Sequence, residues 1–233
     1  MTAEPAETFV RWSPEHWGAL GATALVCVLF LGIGLCLGET GRRRMCRGLG
    51  LFLLLLLVGE YTYRFLSPGE YGPAVDNLPL HFCSFMQVMC FVALWFRRRT
   101  ACALVYFCVL TASIQALITP TVEATFPSLP FLLFFLAHGL LLPAALAVPL
   151  LLGWRARGWD DVRTVLLGAG YAFCMVPVNL LLDTNYCFTQ GSPVPGCLLD
   201  VLGPAPWYYL WLMFPAMLLF RLLMLPVHDA AEE

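Results

Sequence analysis

Lysine is missing altogether from these 233 residues, and charge of either sign is scarce: 12% of the chain is charged, and every one of its thirteen basic residues is arginine. A soluble domain carries about 25% charged residues, so a water-facing surface of ordinary composition is excluded. No Cys-x-x-Cys pair occurs among the ten cysteines, which removes a zinc ribbon. The apolar stretches do not alternate with polar residues, which removes a membrane β-barrel. The first of them lacks a basic n-region and is long for a signal-peptide core. What is present is 60% hydrophobic residues, gathered into long uninterrupted runs. That pattern predicts an all-α membrane protein.

Seven runs are long enough to cross a bilayer: residues 17–37, 49–65, 78–96, 100–119, 128–152, 162–182 and 207–225. A polar, frayed tail of residues 1–16 precedes the seven-helix domain of 17–225, and a short tail of 226–233 follows it. Arginine decides the orientation. Arg42, Arg43, Arg44, Arg47, Arg97, Arg98, Arg99, Arg155, Arg157 and Arg163 fall in alternate loops, and the other three loops hold none. The positive-inside rule makes the arginine loops and the C-terminus cytoplasmic and the N-terminus external. The same distribution reads the basic residues as topology signals, not as a nucleic-acid surface.

Polar residues inside a membrane are costly and mark cavities or partners. Here they gather in the outer half of five spans: Glu60, Tyr63 and Arg64 in the second, His81, Cys83 and Gln87 in the third, Gln115 and Thr119 in the fourth, His138 in the fifth, Asn179 and Asp183 in the sixth. Asn185 and Tyr186 follow at once. Cys83 and Gln87 are four apart and share a helix face; Glu60 and Arg64 have the spacing of an internal ion pair; Thr111, Gln115 and Thr119 line up on the fourth span. His81, two residues before Cys83, points elsewhere on a regular helix.

A thiol near an imidazole is a nucleophile–base pair, and Cys83 with His138 is the candidate. On a span beginning at Leu78, Cys83 lies past the first turn, so the helix dipole gives it little help. The plain alternative is that Cys83 packs like Cys27, Cys36, Cys90, Cys102, Cys108 and Cys174, which sit in apolar runs as small hydrophobes. Spacing alone does not choose between the two. Zinc is a weaker alternative: His81, Cys83, His138 and Glu60 are acceptable ligand types, but none are paired at helical spacing. The expectation is no metal and no cofactor. Cys187 and Cys197 share a loop; two separate thiols are expected over a disulfide.

Five short motifs carry a resemblance: Leu78-Pro79-Leu80-His81-Phe82-Cys83-Ser84, Gln115-Ala116-Leu117-Ile118-Thr119-Pro120, Phe134-Phe135-Leu136-Ala137-His138-Gly139, Thr184-Asn185-Tyr186, and Leu202-Gly203-Pro204-Ala205-Pro206-Trp207-Tyr208. In this order they resemble the YwaF-type integral membrane proteins, and with them the eukaryotic transmembrane-protein-164 acyltransferases. The resemblance implies a seven-helix protein. For the eukaryotic members it implies transfer of a fatty acyl chain between glycerophospholipids by a cysteine and a histidine, at positions matching Cys83 and His138.

The expected function is therefore a lipid acyltransferase. It works through an acyl-thioester on Cys83, with His138 as base and membrane phospholipids or lysophospholipids as partners. Gln115 and Asn185 are the expected oxyanion or headgroup donors and Arg64 the expected phosphate ligand. His81, Gln87, Glu60, Tyr63 and Tyr186 are the supporting residues. The location expected is the inner membrane of a bacterium or the endoplasmic reticulum of a eukaryote. The same residues with water as acceptor make a hydrolase or thioesterase; without chemistry, the cavity serves a transporter or receptor.

Overall fold

The computed structural model of the chain describes residues 8–193 and 197–228. Seven long apolar helices carry the architecture: α1 (Pro14–Cys36), α2 (Glu39–Leu66), α3 (Phe82–Phe96), α4 (Arg99–Ile118), α5 (Leu129–Leu150), α6 (Asp160–Leu182) and α7 (Tyr208–Met224). Each belongs to a stretch long and apolar enough to cross a membrane. Only helices satisfy every backbone N–H and C=O within one segment in lipid. Among the described residues the only bridges of strand type are two isolated ones, Thr8 with Ala124 and Ala156 with His228.

The layers follow from burial. In α4 and α5, 61% of the most apolar window is buried inside the protein, against 11% in α1 and 17% in α7. The first two are therefore the centre of the bundle, and the second two present Leu, Val and Phe to the bilayer. α2 lies along α3, α1 along α5, and α6 along α7. Two glycines permit the close approaches. A Cβ on Gly50 would stand 3.2 Å from Leu94 Cβ and 3.3 Å from Phe91 Cα; one on Gly139 would stand 2.8 Å from Thr23 Oγ1.

Two elements depart from the expected pattern. α3 starts at Phe82, not at Leu78. Pro79 disfavours a helical conformation at Leu78. The hydroxyl of Tyr186 accepts the Leu78 N–H at 2.9 Å and donates to the Val75 carbonyl, holding the approach segment out of the helix. Cys83 is thus the second residue of α3, within its first turn. α4 runs through residues Val105–Ser113 in wide π-type turns. There the hydroxyl of Thr111 bonds the carbonyls of Phe107 and Cys108. Residues four apart no longer stack across such a stretch, so the expected row of Thr111, Gln115 and Thr119 shortens to Gln115 and Thr119.

The arginine loops share one end of the bundle and close helix ends there. Arg42 donates to the carbonyls of Gly34 and Leu35 at 3.1 Å each, Arg97 to Leu152 at 2.7 Å and Arg155 to Pro149 at 3.0 Å. Cations at helix C-termini also complement the dipole. Arg99 pairs with Asp160, and Arg221 with Asp161 at 2.8 Å, tying α4 and α7 to the first turn of α6. The chain leaves α7 at this end, where Ala156 N–H bonds the Val227 carbonyl at 2.9 Å. At the opposite end, residues 8–16 are packed where a frayed tail was expected. Phe9 N–H bonds Glu123 O at 2.7 Å, and the buried His16 ring reaches Leu117 O at 2.8 Å.

Candidate functional site

The site grows from the arginine-poor ends of α2 and α3. One turn of α2 carries Glu60 and Arg64, whose side chains close an ion pair at 2.6 Å. Arg64 lies over the rings of Tyr61 and Tyr71, at 5.3 and 5.1 Å. Its Nε is buried without a hydrogen-bond partner. Tyr61 reaches across to α3, where its hydroxyl bonds the buried Ser84 hydroxyl at 2.7 Å. Ser84 directly follows Cys83 in the chain, so the Tyr61–Ser84 hydrogen bond ends one residue from the thiol. Sequence reasoning missed Ser84 and Tyr61. The signal was their adjacency to Cys83 and Glu60.

Cys83 differs from the other nine thiols. It is half-buried; Cys27, Cys46, Cys90, Cys102, Cys108, Cys187 and Cys197 are buried, and Cys36 and Cys174 are exposed on the bundle surface. His81, the N-cap residue of α3, provides no side-chain cap. The first intrahelical acceptor bond is Phe85 N–H to His81 O at 3.1 Å, so the N–H of Cys83 has no partner within the helix. Unbonded N–H groups and the helix dipole favour negative charge at this place. One turn deeper, Gln87 is 2% exposed and its Oε1 is buried without a partner.

His138 enters from α5. It is 8% exposed and stacks on Phe134 with ring centroids 4.3 Å apart. Its Nδ1 lies 2.9 Å from the Phe134 carbonyl. A carbonyl only accepts, so Nδ1 carries the proton and Nε2 keeps its lone pair free. Among the described residues no hydrogen bond or ring contact joins His138 to Cys83 or to His81.

A loop roofs the site. Asn179, fully buried at the end of α6, donates to Tyr186 O at 2.8 Å and Thr189 Oγ1 at 2.7 Å. It accepts from Tyr186 N–H and Thr184 Oγ1, both at 2.8 Å. His81 lies edge-on to Tyr186 and against Phe188, with centroids 5.1 and 5.4 Å apart. His81, Thr121, Asn185, Tyr186 and Phe188 line an open cleft of ≈ 330 Å³. Asn185 spends its amide inside the loop, donating to Gly191 O at 3.0 Å and accepting from Gln190 N–H at 2.9 Å. Gln115 is exposed and its amide bonds Thr119 at 3.1 Å. Tyr63 packs edge-on to Tyr71 at 5.7 Å.

The roof also carries Cys187. Burial, with Cys83 nearby adding to it, pushes the Cys187 thiol up to about 12, although the Phe82 N–H bonded to its sulfur pulls the other way. It is thus a neutral thiol at ordinary pH. No three His, Cys, Asp or Glu side chains come together as a metal site among the described residues.

A family model covers nearly this whole arrangement, matching residues 11–224, and its description is the TMEM164 family. The chain belongs to the TMEM164 family. No curated protein and no solved structure matches it. This TMEM164-family member holds Cys83, Ser84, Tyr61, Glu60, Arg64 and His138 inside the matched span.

Proposed function

We propose that this membrane protein transfers fatty acyl groups on glycerophospholipids through a thioester on Cys83. The observation that carries the reading is the setting of Cys83. It is the one half-buried thiol, in the first turn of a helix with no side-chain cap, one residue from the Tyr61–Ser84 hydrogen bond.

Cys83 attacks the ester carbonyl of a donor lipid. His138 Nε2 takes the thiol proton and passes it to the departing lysolipid oxygen. Negative charge on the tetrahedral oxygen is met by the free Cys83 N–H. In the second half, His138 takes the proton of an acceptor hydroxyl, which attacks the thioester and restores the thiol. The free Nε of Arg64 faces a lipid phosphate. The amides of Gln115 and Asn185, spent on Thr119 and on the roof loop, leave this oxyanion role to the α3 backbone.

The test uses the full chain in lipid nanodiscs with a phospholipid labelled in its acyl chain and an added lysophospholipid. Cys83→Ser should abolish both a hydroxylamine-sensitive acyl-protein and the labelled product. His138→Ala should cut turnover by about 10²–10⁴-fold. Unchanged turnover in Cys83→Ser ends the covalent route. Label released only as free acid would assign the same residues to a hydrolase.

A further inference from the structure

We propose that Cys83 and Cys187 are a reversible redox pair: peroxide oxidation joins them as a disulfide that caps the candidate nucleophile. Nothing in the acyl-transfer reading uses Cys187. It stands far from Cys83 in the chain, on the roof loop, yet its sulfur is directed at the start of α3.

The Cys187 Sγ lies 3.5 Å from the carbonyl of Leu80, three residues before Cys83. Tyr171 donates to the same carbonyl at 3.0 Å. The loop is held in this position from behind, because the Tyr209 hydroxyl donates to the Cys187 carbonyl and Asn179 grips Tyr186. A disulfide spans Cα atoms of about 4.4–6.8 Å, and the Cys187 sulfur already stands at the segment that leads into Cys83. Cys197 shares the loop with Cys187, but the Cys187 sulfur faces α3.

The chemistry balances with a small hydroperoxide as oxidant. The Cys83 thiolate attacks the O–O bond; sulfur is oxidised to a sulfenic acid and the far oxygen leaves as water or an alcohol. The Cys187 sulfur then attacks the Cys83 sulfur. An S–S bond forms, the S–O bond breaks, and hydroxide leaves as water with the Cys187 proton. The Cys187 thiol is not activated at neutral pH, so proximity drives the second step. Without Cys187 the sulfenic acid continues to sulfinic acid, which thiols do not reverse.

The experiment treats the full chain in nanodiscs with dilute hydrogen peroxide and maps peptides by mass without reduction. The expected result is a Cys83–Cys187 linked peptide, together with loss of electrophile labelling at Cys83 that dithiothreitol restores. Cys197→Ser should still give the linkage. Cys187→Ser should replace it with sulfinic acid at Cys83 and a loss of labelling that dithiothreitol does not restore. The proposal falls if wild type accumulates Cys83 sulfinic acid with Cys187 free, or if Cys187 pairs with Cys197. It also falls if both thiols stay reduced at a peroxide level that oxidises the exposed Cys36 and Cys174. None of these readouts depends on acyl transfer, so the two readings fail separately.

Discussion

Asn179 shows what one buried amide can hold. All of its hydrogen-bonding capacity goes to the roof loop: Tyr186 at both backbone groups, Thr184 and Thr189. Asn179→Leu keeps the volume and leaves those groups without partners, at about 1–3 kcal/mol for each one that stays buried. The expected outcome is a lower unfolding temperature and new protease cleavage within residues 183–193. An unchanged cleavage pattern would mean that the loop is held mainly by Tyr209. Asn179 was visible in the sequence as a polar residue ending a span. Its role was not, because four partners on a loop that folds back cannot be read from spacing. The same holds for Ser84 and Cys187. By contrast the Glu60–Arg64 pair, at helical spacing, was legible from two letters.

Elements were legible where hydropathy alone decides them. All seven helices could be found from apolar runs, since lipid leaves the backbone no other choice. What hydropathy could not place was the start of α3. The run is apolar from Leu78, but Pro79 and the Tyr186 hydroxyl hold four residues out of the helix, and this moves Cys83 into the first turn. The wide turns of α4 carry no mark in composition either. The α2–α3 contact that sets the height of Cys83 and Ser84 against Tyr61 depends on Gly50. Gly50→Leu forces the two helices apart, and overpacking of this kind costs about 1–3 kcal/mol. Thermal unfolding should drop, and electrophile labelling at Cys83 should slow with it. Gly48→Leu, where an added Cβ meets nothing within 4 Å, should do neither.

For the whole molecule, the two ends differ in kind. One end gathers the arginine loops and the ion pairs of Asp160 and Asp161; the other carries the cleft and its roof. The positive-inside rule predicts the first end in the cytoplasm and a cleft that opens to the far leaflet. A reporter fused behind residue 233 should be active only on the cytoplasmic side. Activity on the other side would move the cleft, and any lipid it takes, to the inner leaflet.

The two-carbonyl grip of Arg42 bears on why the chain holds no lysine. Its planar fork bonds Gly34 O and Leu35 O at once, whereas an ammonium is a point charge without that fork. Orientation reads only the sign of the charge, but the latch at the end of α1 reads its shape. Arg42→Lys should therefore separate address from latch: the reporter behind residue 233 stays cytoplasmic, while the unfolding temperature falls. For this protein, exchanging Arg42 for lysine should be silent to the machinery that inserts the chain and costly to the helix it closes.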